Sequence, residues 1–80
     1  MLAERHRKFH ALHQQGCFVI PNPWDMGSAR MMAASGAVAL ATSSAAFAFT
    51  LGRPDMGHVT REEALKHAED LVRATDLPVS

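Results

Sequence analysis

The chain has 80 residues, 48% of them hydrophobic and 20% charged, and a formal net charge of zero. That length is at most one small domain, and neutrality leaves no basic footprint of the kind that supplies most nucleic-acid affinity. No apolar run reaches the roughly 18 residues of a membrane span, and the charged N-terminal segment has no apolar stretch or cleavage site behind it, so neither a membrane anchor nor a signal peptide is expected. A single cysteine, Cys17, excludes an internal disulfide and makes a reducing, cytoplasmic location the expectation.

Residues 2–15 read as a helix, with Leu2, Phe9 and Leu12 near helical spacing and Gly16 as its stop. Residues 17–20 are apolar without alternation, as a parallel strand covered on both faces should be, and Cys17 reads as a buried small residue there. Pro21 and Pro23 end that strand, since neither can donate to a ladder. Asp25 can cap a helix over residues 27–35, closed by Gly36.

Residues 37–42 form the second predicted strand, and residues 43–51 a short helix of small and aromatic side chains. The segment 52–58, with two glycines and a proline, is a loop. Thr60 and Glu63 have the spacing of a capping box for a helix to residue 74, whose expected inner face is Ala64, Leu65, Ala68, Leu71 and Val72. Residues 76–80 begin a third strand. So short a chain buries only about 60% of its unfolded surface, and parallel strands need both faces covered. The expectation is therefore a fragment of something larger, or a subunit that leans on other segments.

Alternation of strand and helix leads to a (β/α)8 barrel or a doubly wound sheet. The first strand–helix turn is Pro21-Asn22-Pro23-Trp24-Asp25, with no Gly-rich phosphate loop, which favours the barrel. In barrels the strand carboxyl ends carry the chemistry. Ser43 and Ser44 fall at such an end, where their hydroxyls and the N–H groups of Ser44 and Ala45 can meet an anion; the plainer reading is a helix cap. Asp55 sits in the Gly/Pro loop, where a carboxylate can hold a metal-bound water or merely make a turn. Arg53 reads as solvated. Asn22, Trp24 and Asp25 read as turn, barrel-end plug and cap, and His6, His10 and His13 as a solvated or partly packed stripe without matching metal ligands.

Three segments carry a resemblance: Asn22-Pro23-Trp24-Asp25-Met26-Gly27-Ser28-Ala29-Arg30, then Ala41-Thr42-Ser43-Ser44-Ala45, then Leu51-Gly52-Arg53-Pro54-Asp55. In this order and spacing the chain, from Phe9 to Ser80, resembles the N-terminal part of the isocitrate lyase/phosphoenolpyruvate mutase family. The resemblance implies a partial (β/α)8 barrel domain over residues 1–80, with a helix ahead of its first strand. It implies Mg²⁺-dependent chemistry through an enolate on small keto or hydroxy carboxylic acids: carbon–carbon cleavage of isocitrate or 2-methylisocitrate type, phosphoenolpyruvate mutase chemistry, or oxaloacetate decarboxylation. The alternative is a non-catalytic docking module derived from the same barrel.

Residue by residue, the resemblance implies that Ser43, Ser44 and Ala45 grip the substrate's carboxylate or phosphonate, and that Asp55 supports Mg²⁺ through water. Ser44 stands where the family usually has glycine, and Ala41 where several branches have a bulky aromatic. The main Mg²⁺ carboxylates and the acid/base loop, which carries a cysteine in the lyases, are implied beyond Ser80, and Cys17 does not match that cysteine. The full-length form is expected to be a homo-oligomer, and residues 1–80 alone are expected to hold no catalytic residue.

Overall fold

The fold is seen in a computed structural model that describes residues 2–14 and 16–80, the side chain of Leu2 excepted. Four helices follow in order: α1 (Leu2–Leu12), α2 (Met26–Ala34), α3 (Ser44–Thr50) and α4 (Arg61–Ala74). The first is shorter than its apolar pattern predicts; Gln15 and the Leu2 side chain, both part of that expectation, lie outside the described residues.

Local chemistry sets the helix starts. Asp25 caps α2: its carboxylate accepts from the Ser28 N–H at 2.8 Å, while the Ser28 hydroxyl accepts from the Asp25 N–H at 3.1 Å. Thr60 and Glu63 form the reciprocal box at α4, with bonds of 3.1 and 3.0 Å. Each such cap stabilises by about 1 kcal/mol. At the other end of α2, Gly36 takes φ +105°, a conformation that a side chain disfavours.

The three extended segments run side by side in chain order. Leu40 pairs with Val79 in a parallel bridge, with Leu40 N–H to Pro78 C=O at 2.9 Å, Ser80 N–H to Leu40 C=O at 2.8 Å and Thr42 N–H to Ser80 C=O at 2.9 Å. The first segment joins through Ala41 N–H to Pro21 C=O at 3.0 Å. Among the described residues none of the three is a strand, a correction to the expected β-α-β-α order and third strand: residues 37–42 and 76–80 meet in a single bridge, and residues 17–20 in none. The register explains the last. A parallel ladder through that bond needs the N–H groups of residues 21 and 23 as donors to the Ala39 and Ala41 carbonyls, and both are prolines. The Asn22 side-chain amide donates to the Ala41 carbonyl instead, at 3.1 Å.

Ala29 on α2, Leu40 on the middle segment and Leu71 on α4 are fully buried and form the core, with Met32, Ala37, Leu77 and Val79 packed around them. Three residues expected inside, Ala64, Leu65 and Cys17, are exposed. Leu65 is 59% exposed, because at about 100° per residue it sits roughly 120° around α4 from Leu71. His67 is buried in its place. Cys17 is exposed, since no ladder draws its segment inward. Trp24, expected as a plug, is half exposed and leans on Phe49 at 6.2 Å between ring centres.

The Arg5 side chain links α1 to the C-terminal end of α4. The Arg5 guanidinium donates to the Val72 carbonyl at 2.7 Å and the Thr75 carbonyl at 2.8 Å, and Arg30 donates to the Ala74 carbonyl at 3.2 Å. These carbonyls have no partner within the helix, and cations complement its negative end. His13 is held on α1's last turn by a bond from Nδ1–H to the Phe9 carbonyl and by edge contacts with Phe9 and Phe18; His6 and His10 are exposed.

Candidate functional site

The carboxyl end of the middle segment delivers Thr42, Ser43 and Ser44 to the start of α3. Ser43 is the cap: its hydroxyl accepts from the Ala46 N–H at 3.2 Å. That bond uses an oxygen lone pair and leaves the hydroxyl proton free to donate. Ser44, one residue on, points its hydroxyl at the Asp55 carboxylate 3.5 Å away, at the long limit of a hydrogen bond. Two residues eleven apart in sequence, each singled out from the sequence, thus meet at the carboxyl end of the middle segment.

Ser44 stands where two clefts adjoin. One, of about 120 Å³, lies between Thr42, Ser43, Phe47 and His67. The other, of about 430 Å³, opens under the 53–60 loop and is lined by Asp55, His58, Thr60 and Arg61 among others. A larger groove of about 620 Å³ shares none of these residues; Val19, Met31, Met32 and Val38 line it, with no charged side chain. Its character is that of an uncovered packing surface rather than a polar site.

The floor of the smaller cleft is His67, which sequence reasoning missed. Its ring stacks on Phe47 at 4.1 Å, and Nε2 lies 2.8 Å from the Trp24 carbonyl. A carbonyl only accepts, so Nε2 carries the proton in this arrangement. The imidazole thereby ties the turn after the first segment to α4. The sequence held one signal: His67 is four residues before Leu71, on the same helical face.

Arg53 is not solvated as expected. Its Nη1 donates to both carboxylate oxygens of Glu63, at 2.8 and 2.9 Å, and lies 3.3 Å from the His58 carbonyl. Arg53 first, and the Thr60 N–H second, hold the Glu63 carboxyl down at about 2. The Ser28 N–H, followed by its hydroxyl, holds Asp25 below its ordinary range, and the field of His67 adds to this.

Among the described residues no group of three or more His, Cys, Asp or Glu side chains converges. Asp55, on the 53–60 loop beside Ser44, is a single carboxylate, so the donors fit one accepting from a metal-bound water and do not make an inner-sphere metal site. No helix among the described residues is long and apolar enough to cross a membrane.

The sequence profile of phosphoenolpyruvate phosphomutase matches residues 9–80. The chain is 38% identical over 78 residues to a 2-methylisocitrate lyase of Halalkalibacterium halodurans and 37% identical over 78 residues to that of Bacillus subtilis. Both alignments cover 98% of this chain, which spans about a quarter (25%) of each relative's length. Among solved structures, a Burkholderia cenocepacia protein assigned as a lyase/mutase superposes with a TM-score of 0.91 at 50% identity, over 96% of this chain and 28% of its own. Another from that organism, assigned as a phosphonomutase, gives 0.83 at 43% identity, over 95% and 31%. On the profile match and these identities, the chain belongs to the isocitrate lyase/phosphoenolpyruvate mutase family.

Proposed function

We propose that residues 1–80 supply the substrate-gripping end of a Mg²⁺-dependent lyase or mutase barrel acting on small keto or hydroxy carboxylic acids, in the cytoplasm. Ser43, Ser44 and the Ala45 N–H take a carboxylate or phosphonate of the substrate, and Asp55 accepts from water on the metal. The observation that carries this reading is the approach of Ser44 to Asp55 at 3.5 Å where the middle segment meets α3. Mg²⁺, when bound, supplies positive charge against a developing enolate. What these residues do is orient: neutral donors meet the anion, and one carboxylate holds a water in place.

The open edge of the layer supports the barrel. Val19 is 81% exposed and Met31 73%, beside parallel segments in the order a barrel needs. The accessible surface is 5577 Å², against about 4,700 Å² for a folded monomer of this mass. Neighbouring strand–helix units would cover that excess, and a homo-oligomer of the complete barrel follows the same logic.

Residues 1–80 alone are expected to bind without turning substrate over. The test is an NMR titration of the chain with oxalate and Mg²⁺, beside assays with 2-methylisocitrate, oxaloacetate and phosphoenolpyruvate. Amide shifts centred on Ser43–Ala45 without turnover are expected. Unmoved amides there would remove the site, and robust turnover by the verified 80-residue chain would overturn the division of labour.

A further inference from the structure

We propose that Arg53 and Glu63 are positioning residues whose ion pair closes the 53–60 loop and so holds the Asp55 carboxylate over Ser44. The proposal rests on the reading of Ser44 and Asp55 as one site.

The geometry is that of a loop tied at both ends. At its start, the Arg53 N–H donates to the Ala48 carbonyl of α3 at 2.9 Å. At its end, the Thr60 N–H donates to Glu63 in the first turn of α4 at 3.0 Å. The Arg53 guanidinium spans the gap, reaching Glu63 and the His58 carbonyl at once. Asp55 is two residues from that guanidinium, on the strand of loop it braces.

What the tie resists is also visible. Met56, directly after Asp55, has φ +72°, and Gly57 has φ +92°. A left-handed methionine is disfavoured sterically and persists only when its surroundings impose it. Met56 is 87% exposed, so its side chain imposes nothing. Among the described residues, the Arg53–Glu63 pair is the ionic contact that spans this turn. An exposed pair is ordinarily weak; this one shares its carboxylate with a backbone N–H and its guanidinium with a backbone carbonyl, so its parts are already ordered.

Glu63 has two roles, and substitution separates them. Glu63→Gln keeps the oxygen that accepts from the Thr60 N–H, while removing the charge and replacing the second oxygen, an acceptor for Arg53, with an NH2 group. Arg53→Met removes the guanidinium and keeps much of its apolar stem. Arg53→Lys restores a charged donor. Lys66→Met, which breaks the Lys66–Asp70 pair further along α4, is the control.

The experiment is ¹⁵N relaxation on the 80-residue chain and its variants, with the Ser44–Asp55 proton contact followed by nuclear Overhauser effect. Wild type and Lys66→Met are expected to show loop order parameters near about 0.85 at residues 55–59, falling below about 0.6 in Arg53→Met and Glu63→Gln. The Ser44–Asp55 contact should disappear in those two variants and return in Arg53→Lys, with α2 unchanged throughout. A rigid loop and an intact contact in both Arg53→Met and Glu63→Gln would overturn the proposal. Oxalate shifts report separately on the site: their absence in wild type removes the functional reading, whereas their presence with an unaffected loop removes only the latch.

Discussion

The side-chain amide of Asn22 replaces a missing backbone donor, giving its Nδ2–H to the Ala41 carbonyl at 3.1 Å where the ladder would call on the nitrogen of Pro23. Asn22→Ala is therefore expected to lower stability by about 1 kcal/mol, the usual net value of one such bond. Asn22→Asp should do no better, because a carboxylate has no hydrogen to give. Urea unfolding monitored by circular dichroism checks both; an Asn22→Asp variant as stable as wild type would contradict the assignment.

Acid should act first at the caps. The Glu63 carboxyl titrates at about 2 in the folded chain against 4.5 ordinarily, so the unfolded state binds the proton more readily. Its contribution is present above about pH 4.5 and disappears as the pH falls through about 2. Asp25, also depressed, acts in the same sense. The Glu63 side-chain ¹³C shift should show a midpoint near 2, and Arg53→Met should move it toward 4.5. A wild-type midpoint already near 4.5 would mean that the ion pair is not formed.

His67 makes two separable contributions. His67→Phe keeps a ring against Phe47 but leaves the Trp24 carbonyl without its donor, at a cost of about 1–2 kcal/mol. His67→Ala removes both and opens a hole, costing about 3 kcal/mol. Trp24 fluorescence should respond in both variants, since its backbone is the acceptor. Equal stability of the two variants would mean that the stacking adds nothing.

Cys17 is exposed and unpaired. A maleimide reagent should therefore label the native chain about as fast as the urea-unfolded chain. Strong protection in the native state would restore the buried placement expected from the sequence.

The helices were legible because their signals are contiguous. Asp25, Gly36 and the Thr60/Glu63 box each act within a few residues, and each sits where its chemistry predicts. The strands were not, because pairing depends on register. Pro21 and Pro23 read as a strand's end, but nothing local shows that both nitrogens fall where the neighbouring carbonyls need donors. At the candidate site, Ser43, Ser44 and Asp55 were named from the sequence, whereas Arg53 was read as solvated and His67 was missed. Their partners, Glu63 and the Trp24 carbonyl, lie 10 and 43 residues away. Leu65 shows the converse: an apolar residue on the wrong side of a helix remains outside.

The Arg5 bonds to Val72 and Thr75 span 67 and 70 residues. A chain is made from its N-terminal side, so α1 emerges before its acceptors do. At about 5–20 residues per second, residue 75 follows residue 12 by on the order of ten seconds. During that interval Phe9 lacks Val72, with which it lines one cleft, and an isolated helix of 11 residues is marginal in water. α1 is thus made several seconds before the carbonyls that hold its Arg5 in place.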